Sequence, residues 1–139
     1  MVWEVRFHPE FDAEFDDLAQ PVQDALLERM HLLGQFGPSL GRPHVDTLKG
    51  SKHANMKELR FDADDGVWRV AFAFDARRQA ILLVVGDKSG VGQQEFYRQL
   101  IKRADARYDA HVAEVEREQT RLRAQARKDG QKGPKGRKR

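Results

Sequence analysis

The run AILLVVG at residues 80–86 carries no polar side chain. A strand that is apolar on both faces reads as a central strand of a sheet. The segment before it, VWRVAFAF at residues 67–74, is almost as apolar and is interrupted only by Arg69. The chain is therefore built around a sheet, and its 139 residues fit one domain, with room for a core, but not two.

The remaining segments read as the rest of that domain. VWEVRF at residues 2–7 alternates Trp3, Val5 and Phe7 with Glu4 and Arg6, a short half-buried strand that His8 and Pro9 stop. Phe11, Phe15 and Leu18 then recur at helical spacing among acids, and Pro21 suits the first turn of a second helix striped by Val22, Leu26, Met30 and Leu33. Gly34, Gly37, Pro38, Gly41 and Pro43 end this helical hairpin and begin a loop that runs to the next strand. MKELRF at residues 56–61 is the next strand, joined to 67–74 by a turn at 62–66, and a second turn at 75–79 leads into 80–86. A long helix is expected from about Gln93, with Phe96, Leu100, Ile101, Ala104, Tyr108, Val112 and Val115 on one side. The expected fold is α+β: an N-terminal strand and helical hairpin, then a mostly antiparallel twisted sheet and a long C-terminal helix.

The formal net charge of +3 conceals a division. Residues 117–139 hold ten Lys/Arg and two acids, whereas residues 1–116 hold 15 Lys/Arg and 20 acids. Residues 1–116 are read as the folded domain, and 117–139 as a basic helical extension ending in a disordered tail. Cysteine is absent, which removes a disulfide framework and a thiol nucleophile and suits a reducing cytoplasm. The opening MVWEVRFHPEF does not read as a leader, and the longest apolar run is too short to cross a bilayer, so a cytoplasmic protein with no membrane contact is expected. The histidines at 8, 31, 44, 53 and 111 show no pair at ligand spacing, and neither a phosphate-binding loop nor a dinucleotide fingerprint is present. No metal and no cofactor are expected.

Within the acidic domain, positive charge gathers at Lys49, Lys52, His53, Lys57 and Arg60. Strand parity puts Glu58, Arg60 and Arg69 on one face, opposite Leu59, Phe61, Trp68, Val70, Phe72 and Phe74. Ala71 and Ala73 would leave the face beside Arg69 shallow or concave, and Lys88 at the end of the apolar strand could reach it. Two readings stand: an anion site of permanent cations with a carboxylate among them, or ordinary cross-strand ion pairs. Arg69 is expected to be exposed, so that its loss would cost stability within about a kcal/mol. His53 by itself reads as a loop histidine.

The series LKG at 48–50, KELR at 57–60, GVWRV at 66–70, VVGDK at 84–88 and FY at 96–97 resembles the RelE/HigB superfamily of type II toxin–antitoxin toxins, nearest its phage-derived, HigB-like branch. The resemblance covers residues 2–110 or so and implies a ribosome-dependent, metal-independent endoribonuclease that cleaves mRNA and so inhibits translation. It further implies a cognate antitoxin of the helix-turn-helix kind, with the ribosome and mRNA as the other partners and DNA reached only through the antitoxin. By matched position it assigns the transition-state charge to Arg69, with Lys88 in support and Tyr97 near the family's C-terminal tyrosine. Arg60 would hold a flanking phosphate, and Lys49, Lys52 and Lys57 would contact RNA. Glu58 stands where the RelE pattern has a lysine, so Glu58 or His53 is assigned to proton transfer. A non-enzymatic alternative on the same fold is a ParE-like topoisomerase-binding toxin or an RNA-binding module.

Overall fold

Sequence punctuation sets the elements of the chain, whose computed structural model describes residues 3–137, with side chains through residue 130. In chain order they are β1 (Glu4–Phe7), α1 (Pro9–Asp16), α2 (Gln20–Phe36), β2 (Val45–Thr47), β3 (Met56–Ala63), β4 (Gly66–Phe74), β5 (Gln79–Asp87) and α3 (Gln93–Arg137). His8 ends β1 and caps α1, its imidazole Nδ1 accepting from the Glu10 amide at 3.2 Å. Pro21 lies in the first turn of α2, as its fixed φ favours. The β3–β4 turn needs positive φ at both central residues, and two aspartates supply it: Asp64 at 52° and Asp65 at 62°.

The sheet has the order β1-β5-β4-β3-β2. β1 runs parallel to β5, and the other pairings are antiparallel. β5 and β4 are thus interior strands, as their apolar composition requires. β2 was not expected. It is a three-residue strand inside the segment read as loop, pairing Val45 with Leu59, Asp46 with Glu58 and Thr47 with Lys57. Three residues between Pro43 and Gly50 are too few for alternation to be recognised.

The helical hairpin of α1 and α2 covers one face. Phe11, Val22, Leu26 and Leu33 pack there on Leu59, Phe61, Val70, Phe72, Ala80 and Leu82, with Phe7, Phe15, Leu18 and Met30 around them. The other face carries Ala71, Ala73, Ile81 and Val84, all buried. The first half of α3 approaches this face so closely that a Cβ at Gly86 would stand 2.9 Å from the Phe96 ring. The alanines beside Arg69 do not open a hollow; they are the floor on which α3 lies.

Register on β5 shifts once. Ala71 is opposite Val84 and Phe72 is opposite Leu82, so Leu83 has no opposite number in β4. Its carbonyl instead accepts Nη1 of Arg107 at 2.6 Å. Arg107 also grips the Glu14 carboxylate with both guanidinium nitrogens, at 2.9 and 2.5 Å, which ties α1 to α3. The chain divides after Tyr108 into two units. The second is the remainder of α3, whose surface carries the pairs Glu114–Arg117 and Glu118–Arg121. The expected disordered tail past residue 130 lies outside the described side chains.

Gly37 joins α2 to the strand layer with φ of 55°, and a Cβ there would come within 2.3 Å of the Trp3 indole. Gly37→Ala should therefore cost about 2–4 kcal/mol, combining left-handed strain with overpacking, and a thermal melt would read it. A melting temperature equal to wild type would mean that Trp3 does not sit on this turn.

Candidate functional site

Parity holds as expected on the hairpin strands: Arg60 is directly opposite Arg69, and Glu58 is opposite Ala71. Two guanidinium groups side by side repel each other, and the Glu58 carboxylate between them offsets this. Arg69 Nε lies 3.6 Å from Glu58 Oε1, and Arg60 Nε lies 4.0 Å from Oε2. From α3, Tyr97 donates its hydroxyl to Glu58 Oε1 at 2.7 Å and accepts from Arg69 Nε at 3.2 Å. Arg69 Nη1 donates to the Trp68 carbonyl at 2.9 Å. Of the two sequence readings, the ion pairs are present, and they are ordered into one hydrogen-bonded chain.

Arg69 is only 7% exposed and Glu58 only 6%. The expectation of an exposed Arg69 is therefore corrected. Its side chain does leave the hairpin-covered core, as alternation requires, but it enters a second interior beneath α3. A buried ion pair resists loss of one partner, since the other is left as an uncompensated charge.

The exposed edge of this chain opens into a groove of about 870 Å³ lined by Asp46, Lys49, Glu58, Arg60, Lys88 and Tyr97, among others. Lys88 enters from the end of β5, its Nζ 5.7 Å from the centroid of the Tyr97 ring. Burial, then the charges of Arg69 and Arg60, hold the Lys88 ammonium below its usual range despite the opposing pull of Glu58. Tyr97 moves the other way, raised chiefly by burial and by its hydrogen bond to Glu58.

The structure thus brings together Lys49, Glu58, Arg60, Arg69, Lys88 and Tyr97. It leaves Lys57 and His53 elsewhere, and Lys52 is not among the groove-lining residues. Lys57 is opposite Phe72, a core residue, so it belongs to the sheet face covered by the hairpin. The parity that places Glu58 in the groove excludes Lys57 from it. The His53 ring stands edge-on to Tyr108, 4.8 Å between centroids, in the loop between β2 and β3. Sequence reasoning missed Asp46, Gln93, Gln94 and Arg98, which also line the groove. Asp46 binds Arg42 at 2.8 Å and lies 3.9 Å from Arg60; the Thr47 amide first, then Arg42 and Arg60, hold its carboxyl below the usual range. Among the described residues no group of three or more His, Asp or Glu is placed to hold a metal ion.

A sheet with a helical hairpin on one face, a C-terminal helix on the other and a cationic groove at their edge defines the RelE type of toxin fold. In agreement, a solved free-state mutant of the E. coli toxin RelE superposes with a TM-score of 0.51 at 15% identity, covering 74% of this chain and 98% of that one. The family model for Phage derived protein Gp49-like (DUF891) matches residues 13–109. Two Mycobacterium tuberculosis proteins named as toxins are similar in sequence. HigB2 is 39% identical over 119 residues, 85% of this chain but 58% of that protein, so the chain spans little more than half of this relative. HigB3 is 40% identical over 105 residues, 76% of this chain and 90% of that protein. The chain belongs to the Gp49-like family of RelE/HigB-type toxins.

Both tyrosines of the chain have raised ionisation, Tyr97 as described and Tyr108 through burial first. In the unfolded chain each ionises near 10. The stability contributed by the neutral rings is thus complete below pH 10 and is lost as pH climbs through the raised folded values. Absorbance at 295 nm should show less tyrosinate in the native protein than in a denatured control at the pH where that control is half ionised. A native titration that overlays the control would mean that Tyr97 does not occupy this buried chain.

Proposed function

We propose that this chain is the toxin of a type II toxin–antitoxin pair and acts in the cytoplasm as a ribosome-dependent, metal-independent mRNA endoribonuclease. The observation that carries the reading is the Glu58–Tyr97–Arg69 chain opening into a groove that also holds Lys88 and Arg60. RNA cleavage without a metal needs a base for the 2′-hydroxyl, fixed positive charge at phosphorus and an acid for the departing 5′-oxygen. Glu58 takes the 2′-hydroxyl proton as that oxygen bonds to phosphorus. Arg60, at the groove, offsets the added negative charge, and Arg69, buried against Glu58 and Tyr97 and not itself lining the groove, adds its field. Lys88, whose proton is more easily given up than an ordinary lysine's, protonates the 5′-oxygen as its bond to phosphorus breaks. The products are a 2′,3′-cyclic phosphate and a free 5′-hydroxyl. Tyr97, kept neutral by its raised ionisation, orients Glu58 and Arg69 together.

The toxin body is residues 1–116, and the extension 117–139 adds nonspecific attraction to RNA through its ten Lys/Arg. The partner that silences the groove is an antitoxin of the helix-turn-helix kind.

Burial decides which substitutions can test this. Arg69→Ala would leave the buried Glu58 without its nearest cation and should cost about 3–5 kcal/mol, confounding folding with chemistry. Lys88→Ala is the cleaner test, because the residue is only partly buried and has no ion pair among the described residues. It should change stability by no more than about 0.5 kcal/mol. In single-turnover assays on programmed ribosomes it should slow cleavage by about 100-fold, the usual cost of losing a preorganised group. A Lys88→Ala protein that cleaves at the wild-type rate would overturn the assignment. Growth arrest with continuing protein synthesis and disturbed DNA supercoiling would favour a topoisomerase-binding toxin instead.

A further inference from the structure

We propose that Asp105 and Ser51 are positioning residues that clamp the β2–β3 loop onto α3 and thereby place Lys49 in the groove. The functional consequence rests on the RNA-cleaving reading above; the clamp itself rests on geometry. The loop follows a three-residue strand and leaves the ladder almost at once, with Leu48 N donating to the Met56 carbonyl at 3.1 Å and Met56 N to the His53 carbonyl at 3.1 Å. Those bonds close the base of the loop but do not fix its tip.

The tip is fixed by α3. Asp105 Oδ1 accepts the Ser51 hydroxyl at 2.5 Å, and Oδ2 accepts the Lys52 amide at 3.2 Å. Ser51 Oγ in turn accepts the His53 amide at 3.0 Å. One carboxylate thus holds Ser51 and Lys52 through charge-assisted bonds, which are stronger than neutral ones, and reaches His53 through the Ser51 hydroxyl. Gly50 lets the loop come this close: its φ is 100°, and a Cβ would stand 3.2 Å from Ile101 Cδ1. Beyond the tip, His53 packs edge-on against Tyr108, and Asn55 Nδ2 donates to the Tyr108 hydroxyl at 3.1 Å. Ile101, Asp105 and Tyr108 are spaced as one helix face, so the whole loop is docked along a single line of α3.

That line continues toward the helix N-terminus into the groove. Leu48 and Lys49 form one wall of the groove, and Tyr97, Arg98 and Ile101 form the other. The distance between the walls is therefore set where the loop meets α3, at Asp105 and Gly50. Among the described residues Lys49 has no ion-pair partner of its own to hold it. Its place in the groove depends on the backbone that carries it. Neither Ser51 nor Asp105 lines the groove, so both act through Lys49 rather than on RNA.

The test uses the full chain carrying Asp105→Ala, Ser51→Ala or Ser51→Thr, with Lys49→Ala as reference. Amide exchange at residues 50–56 should accelerate by about tenfold or more in the two alanine clamp variants while exchange in β4 and β5 is unchanged. The KM for programmed ribosomes should rise about tenfold, matching Lys49→Ala, with kcat within about twofold, since binding rather than the chemical step is affected. Ser51→Thr keeps the hydroxyl and should restore both readouts. Unchanged loop exchange in Asp105→Ala would overturn the clamp, and so would a fall in kcat with KM unaltered. If the wild-type protein cleaves no mRNA, the proposed function falls by itself. The clamp is then decided by exchange together with the affinity for a single-stranded RNA oligonucleotide, where equal affinity for wild type and Asp105→Ala would sink it.

Discussion

The close approach of α3 to the sheet is the contact on which the rest of the structure depends. It is possible because the facing side chains are small: Ala71, Ala73 and Gly86 present almost no bulk, and Phe96 and Leu100 fill the space above Gly86. Burying that face gains the apolar transfer energy that a six-residue aliphatic strand cannot obtain from the helical hairpin alone. The same approach carries Tyr97 to the end of the alanine floor, where β3 and β4 turn polar. A bulkier residue at position 71 or 73 would lift the helix and separate the tyrosine from Glu58 and Arg69. Core packing and the candidate chemistry are thus settled by one interface.

At that boundary the sheet gathers charge of both signs. Glu58 faces two arginines and a tyrosine hydroxyl, and Asp46, its neighbour across the β2–β3 pair, faces two further guanidinium contacts. Each strand-borne arginine is held by a carboxylate, whereas Lys49 and Lys88 have no ion pair among the described residues. The distinction suits a division of labour. Guanidinium groups locked in position supply fixed charge without reorganising, while a lysine with lowered proton affinity can change its protonation state.

Much of this could be read before any coordinates. The hairpin, the interior strands, the start of α3 and the common face of Glu58, Arg60 and Arg69 all follow from periods of 2 and 3.6 residues and from turn residues at fixed offsets. What was not legible depended on distant parts of the chain meeting. Alternation says that Arg69 leaves the first core, but it cannot say that a helix about 30 residues later covers it. β2 was hidden because three residues carry no period, and Asp46 was hidden with it. Lys57 is different: its parity was available, and the local density of positive charge outweighed it. For His53, the neighbouring sequence contains nothing of Tyr108, the ring that gives the histidine its place.

The unpaired Leu83 in β5 has a consequence of another kind. Leu82 and Val85 lie three residues apart, yet their partners Phe72 and Val70 belong to the same core, so the extra residue reverses the phase of the strand partway along its length. Before it, even-numbered side chains face the helical hairpin; after it, odd-numbered ones do. The offset turns Gly86 toward α3, and it also frees the carbonyl that receives Arg107. In this sense β5 works as a spacer: the same residues paired as a regular ladder, with Leu83 opposite Ala71, would turn Val84, Val85 and Gly86 to the wrong faces. Relatives that share this fold should therefore tolerate exchange of the aliphatic residues in β5 far more readily than a regular pairing of the same number of residues.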